Sequence, residues 1–157
     1  MVLSTNRAVT ATNGGWYFDF AHLGERVNTN PDIVFGTIVL GTNVPSSGSC
    51  TIGGESYVYF LNFITGGTPG AAITPTANLA SNAGNLPAGW GNETWGVSAS
   101  KYGNETISNP NVIYLPDGTI KACFQGSGGG DPVCKTVPPP NAPNIDPRRT
   151  SWRELIQ

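Results

Sequence analysis

His22 is the single histidine of the chain. It stands in Phe20-Ala21-His22-Leu23-Gly24, with no serine or cysteine nucleophile motif beside it. A catalytic triad needs its partners within hydrogen-bond reach of the imidazole, so His22 reads first as a structural or surface residue. No GxSxG, P-loop or HExxH occurs. Glu93 and Glu105, close to Trp90 and Trp95, are the carboxylates that glycoside chemistry would draw on. With ten Asp and Glu in the chain, such a pair arises by chance. Trp90, Trp95 and Tyr102 sit in an Asn/Gly-rich setting where a ring can stack on a pyranose face; filling a core is the commoner role. Asn92 and Asn104 each open an Asn-Glu-Thr acceptor pattern, a weak signal in a chain this rich in Asn and Thr. The acidic residues Asp19, Asp32, Asp117, Asp131 and Asp146 are isolated, and no Asp-x-Asp-x-Asp run offers a calcium loop. The expectation is a protein that is not an enzyme, with no metal and no cofactor within this chain.

Cys50, Cys123 and Cys134 are an odd number, without a CxxC or Cys/His pair for zinc. Cys123 and Cys134 flank a glycine run ending in Asp131 and Pro132, which is able to fold back and let them bridge in an oxidising compartment. Cys50 is then left over. The alternative is three reduced cysteines acting as small buried hydrophobes.

Charged residues are 11% of the 157-residue chain, less than half the share usual in soluble domains. Aromatics reach 10% and net charge is −2, which does not fit a disordered chain. Eight Lys and Arg against ten Asp and Glu leave no basic stripe for nucleic acid. The one basic cluster, Arg148, Arg149 and Arg153, lies beside Asp146 and Glu154 and reads as a salted surface strand. No apolar run reaches the ~20 residues that span a bilayer. The first fifteen residues lack the charged and apolar regions of a signal peptide. A protein working outside the cell would then carry this chain as a fragment or processed end.

The elements that must position these residues read as short strands between turns. Residues 16–20, WYFDF, read as a strand after a glycine turn. Residues 32–40 form two apolar runs around Gly36, a hairpin tip or a bulge. Residues 56–64, SYVYFLNFI, form the strongest strand, apolar enough to be buried on both faces. Residues 112–115 and 119–124 flank Asp117-Gly118, the clearest hairpin. Residues 150–156 are the last strand candidate. Residues 68–91 and 127–147 read as long irregular loops, and little or no helix is expected. The rhythm of strand, glycine turn and strand fits β-propeller blades of ~40–50 residues. The whole chain is taken as one region: all-β, a partial propeller of roughly two to three blades, with a smaller β-sandwich as the alternative.

Several phrases are more specific. Within residues 14–67 stand Gly15-Trp16-Tyr17, Gly24-Glu25-Arg26-Val27, Pro45-Ser46 ahead of Cys50, Gly53-Gly54 and Thr65-Gly66-Gly67. In this order they resemble a run in the β-propeller domain of the PilC/PilY type IV pilus adhesins. Pro116-Asp117-Gly118-Thr119 and the stretch Arg149 through Leu155 resemble the C-terminal close of the same family. The resemblance covers about half of the chain; residues 68–109 and 123–147 diverge. It implies an extracellular protein at the pilus tip, acting in pilus biogenesis, twitching motility and adhesion. Its implied partners are minor pilins or other tip components, and a host or surface receptor. The family's calcium loop would lie upstream of this chain. The shared residues read as scaffold, with Gly24-Glu25-Arg26 placing an ion pair at a blade edge. The alternative function is a free carbohydrate-binding β-module that uses Trp90 and Trp95.

Overall fold

The computed structural model describes residues 2–5, 9–10, 12–46, 53–69 and 95–138. Among them are eight strands and no helix: β1 Val2–Thr5, β2 Asp32–Val34, β3 Thr37–Pro45, β4 Gly54–Asn62, β5 Trp95–Gly103, β6 Asn111–Tyr114, β7 Ile120–Phe124 and β8 Val133–Thr136. They form two antiparallel sheets, of order β1-β5-β4-β3-β2 and β6-β7-β8. The described residues do not close a ring of blades.

The β2–β3 hairpin turns through Phe35 and Gly36, both at positive φ (47° and 84°). Val34 and Thr37 pair on either side. This two-residue turn matches the right-handed twist of its strands, and it favours Asn or Gly at both positions. Phe35 holds a left-handed conformation at a cost of about 1–2 kcal/mol, with its ring 68% exposed. The β6–β7 hairpin turns at Asp117-Gly118. Gly118 has φ 83°, and the Asp117 carboxylate accepts the Thr119 amide hydrogen at 2.8 Å. That amide, closed over the carboxylate, holds Asp117 below the usual carboxylate range.

Strand β4 pairs with β3 along its whole length, and its alternating side chains enter two different cores. Val58 and Phe60 join Val39, Val34, Ile107, Ala122, Phe124 and Val137 between the two sheets. Tyr57, Tyr59 and Leu61 point to the opposite face with Ile38 and Leu40. The sheets approach closely at Gly41, where an added Cβ would lie 2.8 Å from Ile107 and 3.3 Å from Phe124. Phe124 is fully buried there, a contribution of about 1.5–3 kcal/mol.

Residues 16–20 correct the sequence reading. They pair in no strand; they run as an extended strap over the outer face of the five-stranded sheet. Their period of two survives: Trp16, Phe18 and Phe20 pack inward while Tyr17 is 88% exposed. Phe18 and Phe20 meet the Tyr59 ring edge-on at 5.4 and 5.5 Å. Trp16 donates its indole N–H to the Phe63 carbonyl at 3.1 Å and lies over Gly66, where a Cβ would come within 2.4 Å of the ring. Alternation reports which residues are covered, and here the covering is face-on packing without a ladder.

Three further differences concern the loops. Strand β8 lies inside residues 127–147, which read as irregular; Pro132 precedes it and the Cys123–Cys134 bridge ties it to β7. Strand β5 was hidden by a glycine- and serine-rich composition poor in strand formers. Strand β1 pairs with β5, in a segment without a strand signal of its own. Residues 150–156 and most of 68–91 lie outside the described residues.

Candidate functional site

Residues 20–30 leave the strap and bind back to the outer face of β3 and β4. Arg26 and Asn43 exchange both backbone hydrogen bonds at 3.0 Å, extending the sheet beside β3. The Thr29 hydroxyl donates to the Gly41 carbonyl at 2.7 Å. This backbone path drives the Glu25 side chain under cover, fully buried.

A buried carboxylate needs donors on its lone pairs, and Glu25 has four. One oxygen accepts the Thr42 hydroxyl and the Tyr59 phenol. The other accepts the His22 amide at 3.2 Å and faces the His22 Nδ1 at 2.9 Å. Thr42 and Tyr59 both project from the outer face, since β3 and β4 place Thr42 opposite Tyr57 and Leu40 opposite Tyr59. The His22 ring stacks on Tyr57 with centroids 4.1 Å apart. The Tyr57 phenol donates to Glu55 at 2.7 Å, and Glu55 accepts from Lys101 on β5 at 2.6 Å. One chain of contacts thus joins Thr42, Tyr59, Glu25, His22, Tyr57, Glu55 and Lys101.

The charges follow from that geometry. Lys101 and the Tyr57 phenol hold the Glu55 carboxyl below its usual range. Burial, reinforced by the bond to Glu55, pushes Tyr57 up to about 12. Burial and the bond to Glu25 push Tyr59 up as well. A folded value above the unfolded one, about 10 for tyrosine, gives stability that is complete below that pH. It is lost as pH rises through the folded value. Alkaline titration is therefore expected to show two of the five tyrosines ionising late, in step with loss of β-structure. Tyrosinate absorbance followed beside far-UV circular dichroism checks this, and Tyr57→Phe should remove part of the late step. Both tyrosines ionising normally in the folded protein would contradict the network.

The remaining sequence candidates are dispersed. Glu105 accepts the Gly128 amide hydrogen at 2.6 Å and covers Gly126, where a Cβ would lie 2.2 Å from its carboxyl carbon. Tyr102 is partly buried against the inter-sheet core and donates to the Phe124 carbonyl at 3.2 Å. Trp95 opens β5; its side chain, with Trp90, Glu93, Asn92 and Cys50, lies outside the described residues. Cys123 and Cys134 face each other across β7 and β8 and form a disulfide. The ion pair expected within Gly24-Glu25-Arg26 is replaced: Glu25 turns to His22 and the hydroxyls, while Arg26 Nε donates to the Gly24 carbonyl at 3.4 Å. Among the described residues, no group of three or more His, Cys, Asp or Glu is placed to hold a metal ion, and no helix is long and apolar enough to cross a membrane.

Sequence reasoning missed Glu25 as the centre of the outer face. The one available signal was a buried-strand pattern that places Thr42 and Tyr59, both hydroxyl-bearing, on one side. It also missed Asn43, which is 3% exposed. Its side-chain carbonyl accepts the Ile107 amide hydrogen at 2.8 Å, and its amide donates to Asn28 and to the Ile107 carbonyl. That side chain stitches the two sheets together as a strand would. Together these contacts brace the outer face and the joint between the two sheets.

No family model matches the chain, and no solved structure does. Over 152 residues the chain is 26% identical to a type IV pilus biogenesis factor PilY1 homolog of Xylella fastidiosa. The match takes in 91% of this chain and 11% of that protein. The chain is thus similar, nearly throughout, to a small part of a protein named for pilus biogenesis, in a PilY1-like relationship.

Proposed function

We propose that this chain is a scaffold portion of a type IV pilus biogenesis and adhesion protein, supplying the last two to three blades of a β-propeller. The observation that carries the reading is the 26% identity sustained over 91% of the chain. The topology supports it. Strands β2, β3, β4 and β5 are neighbours in chain order, as are β6, β7 and β8. Consecutive antiparallel meanders packed face to face are the repeating unit of a propeller.

On this reading the protein works outside the cell at the pilus tip. Its partners are minor pilins or other tip components and a host or surface receptor. It acts by binding, without catalysis and without a cofactor in this chain. In support, the two described candidates for acid–base work, His22 and Glu105, are held by Glu25 and Gly128.

The test is an in-frame deletion of the coding region for these residues in the organism that carries it, with expression of the remaining product verified. Surface piliation, twitching and attachment should fall together and return on complementation. Unchanged piliation and twitching would refute the pilus reading. Loss of attachment alone would restrict the role to adhesion.

A further inference from the structure

The turn that leads into the strap carries reactive chemistry of its own. Asn13-Gly14 is the single Asn-Gly step of the chain, and both residues are exposed. The Asn13 backbone amide donates to the Thr10 carbonyl at 3.0 Å and closes the turn. The Asn13 side chain folds back over it. Its Oδ1 accepts the Thr10 backbone amide hydrogen at 2.8 Å and the Thr10 hydroxyl at 2.7 Å. With that hydroxyl hydrogen committed, the Thr12 hydroxyl donates in turn to Thr10 Oγ1 at 2.9 Å. A hydroxyl that accepts a hydrogen bond becomes a stronger donor.

This is the donor arrangement of an oxyanion hole, built around a side-chain amide. Hydrogens aimed at one carbonyl oxygen draw electrons from its carbon and stabilise the negative oxygen formed when a nucleophile adds. The nucleophile that the chain supplies beside that carbon is the Gly14 backbone nitrogen, held in place by the bonds between them. Among the described residues none accepts the Gly14 amide hydrogen, so a base in solution can reach it. A Cβ on Gly14 would meet nothing within 4 Å, and the peptide is free to turn toward the Asn13 side chain.

We propose that Asn13 is a self-modification site, where the Gly14 nitrogen displaces the side-chain amide and water completes conversion to aspartate or isoaspartate. The Gly14 nitrogen gives its proton to a base in solution and bonds to Asn13 Cγ. The Cγ–Nδ2 bond breaks, and ammonia leaves with a proton taken back from solution. Water then opens the cyclic imide at either carbonyl. One opening restores the original backbone with a carboxylate side chain; the other routes the backbone through the side chain. Water is consumed, ammonia is released, and nothing is oxidised or reduced. A negative charge thereby appears at the entrance to the strap. The glycine pair absorbs the change, since Cβ atoms on Gly14 and Gly15 would meet nothing. Beyond them the strap stays pinned by Trp16 at the Phe63 carbonyl. The site belongs to this chain alone and does not depend on the pilus reading.

Trypsin releases Ala8 to Arg26 as a fragment whose one asparagine is Asn13. Conversion is read there by mass and by labelling with an isoaspartyl methyltransferase. The full chain is aged in mildly alkaline buffer beside the same fragment as a synthetic peptide, with the β-sheet circular dichroism spectrum as the folding control. The folded chain should convert faster than the peptide, because the fold holds the turn and its donors in place. Thr10→Val keeps the backbone donor and removes the hydroxyl. It should slow the folded chain roughly five-fold, the worth of one neutral hydrogen bond in the transition state. In urea the variant and the parent should convert alike. A peptide that converts as fast as the folded chain overturns the proposal, since the sequence alone then sets the rate. A folded Thr10→Val chain that converts at the parent rate overturns it equally.

Discussion

Glu25→Ala is expected to lower the unfolding free energy by about 3–5 kcal/mol, the range for removing one partner from a buried charged network. The alanine leaves the Thr42 hydroxyl, the Tyr59 phenol and the His22 amide without their acceptor. An unsatisfied buried group costs about 1–3 kcal/mol, so two or three of them reach the same total. The loss is a large share of the 5–15 kcal/mol that stabilises an ordinary domain. Glu25→Gln keeps the volume and one acceptor oxygen and should cost roughly half as much. Thr42→Val and Tyr59→Phe remove one donor each and should cost about 1 kcal/mol. Urea unfolding of the four variants, followed by circular dichroism, checks the order. If Glu25→Ala costs no more than Tyr59→Phe, the carboxylate is not the anchor of the outer face.

Opening the Cys123–Cys134 disulfide is the second large effect. The bridge spans 11 residues, and closing a loop of that size in the unfolded chain stabilises the fold by about 3 kcal/mol. Cys134→Ser should lose about 2–3 kcal/mol and unfold at lower urea. The loss should concentrate in β8, a strand of four residues whose only strand partner among the described residues is β7. Hydrogen exchange at residues 133–136 should accelerate most, and the Val137 amide next, since its bond to Ile120 follows directly. Exchange that rises equally in all strands would mean that the bridge acts on the unfolded chain alone. A reductant applied to the parent protein should reproduce the variant.

Much of the architecture was legible because short-range signals agreed with the tertiary answer. The β2–β3 hairpin and the Asp117-Gly118 turn combine apolar, β-rich runs with a glycine at positive φ, and strand β4 is a near-continuous apolar run whose two faces enter different cores. What escaped depended on partners distant in the chain. The strap at residues 16–20 carries a strand's alternation, yet its partner is the face of the sheet, and alternation alone does not distinguish a face from an edge. Strand β8 looked like loop because its reason for pairing is a covalent bond to β7. The outer-face network was the least legible part. Glu25 is an ordinary acidic residue in a glycine turn until the fold carries Thr42 and Tyr59 over it. A single sequence shows His22 three residues from Glu25, but not the two hydroxyls that bury the carboxylate.

The Asn43 stitch has a kinetic corollary. Its bonds to Ile107 close a loop of 64 residues, and the Thr37 bond to Pro138 closes one of 101. The β2–β3 and β6–β7 hairpins close over a few residues each. Local hairpins form in microseconds, whereas contacts between distant residues carry the entropy of long loops and dominate the folding time. Each hairpin would then form early, with the two sheets meeting only near the rate-limiting step. Asn43→Ala should accordingly slow refolding to the extent that the stitch is already made at that step, giving a fractional φ-value at the joint between the sheets.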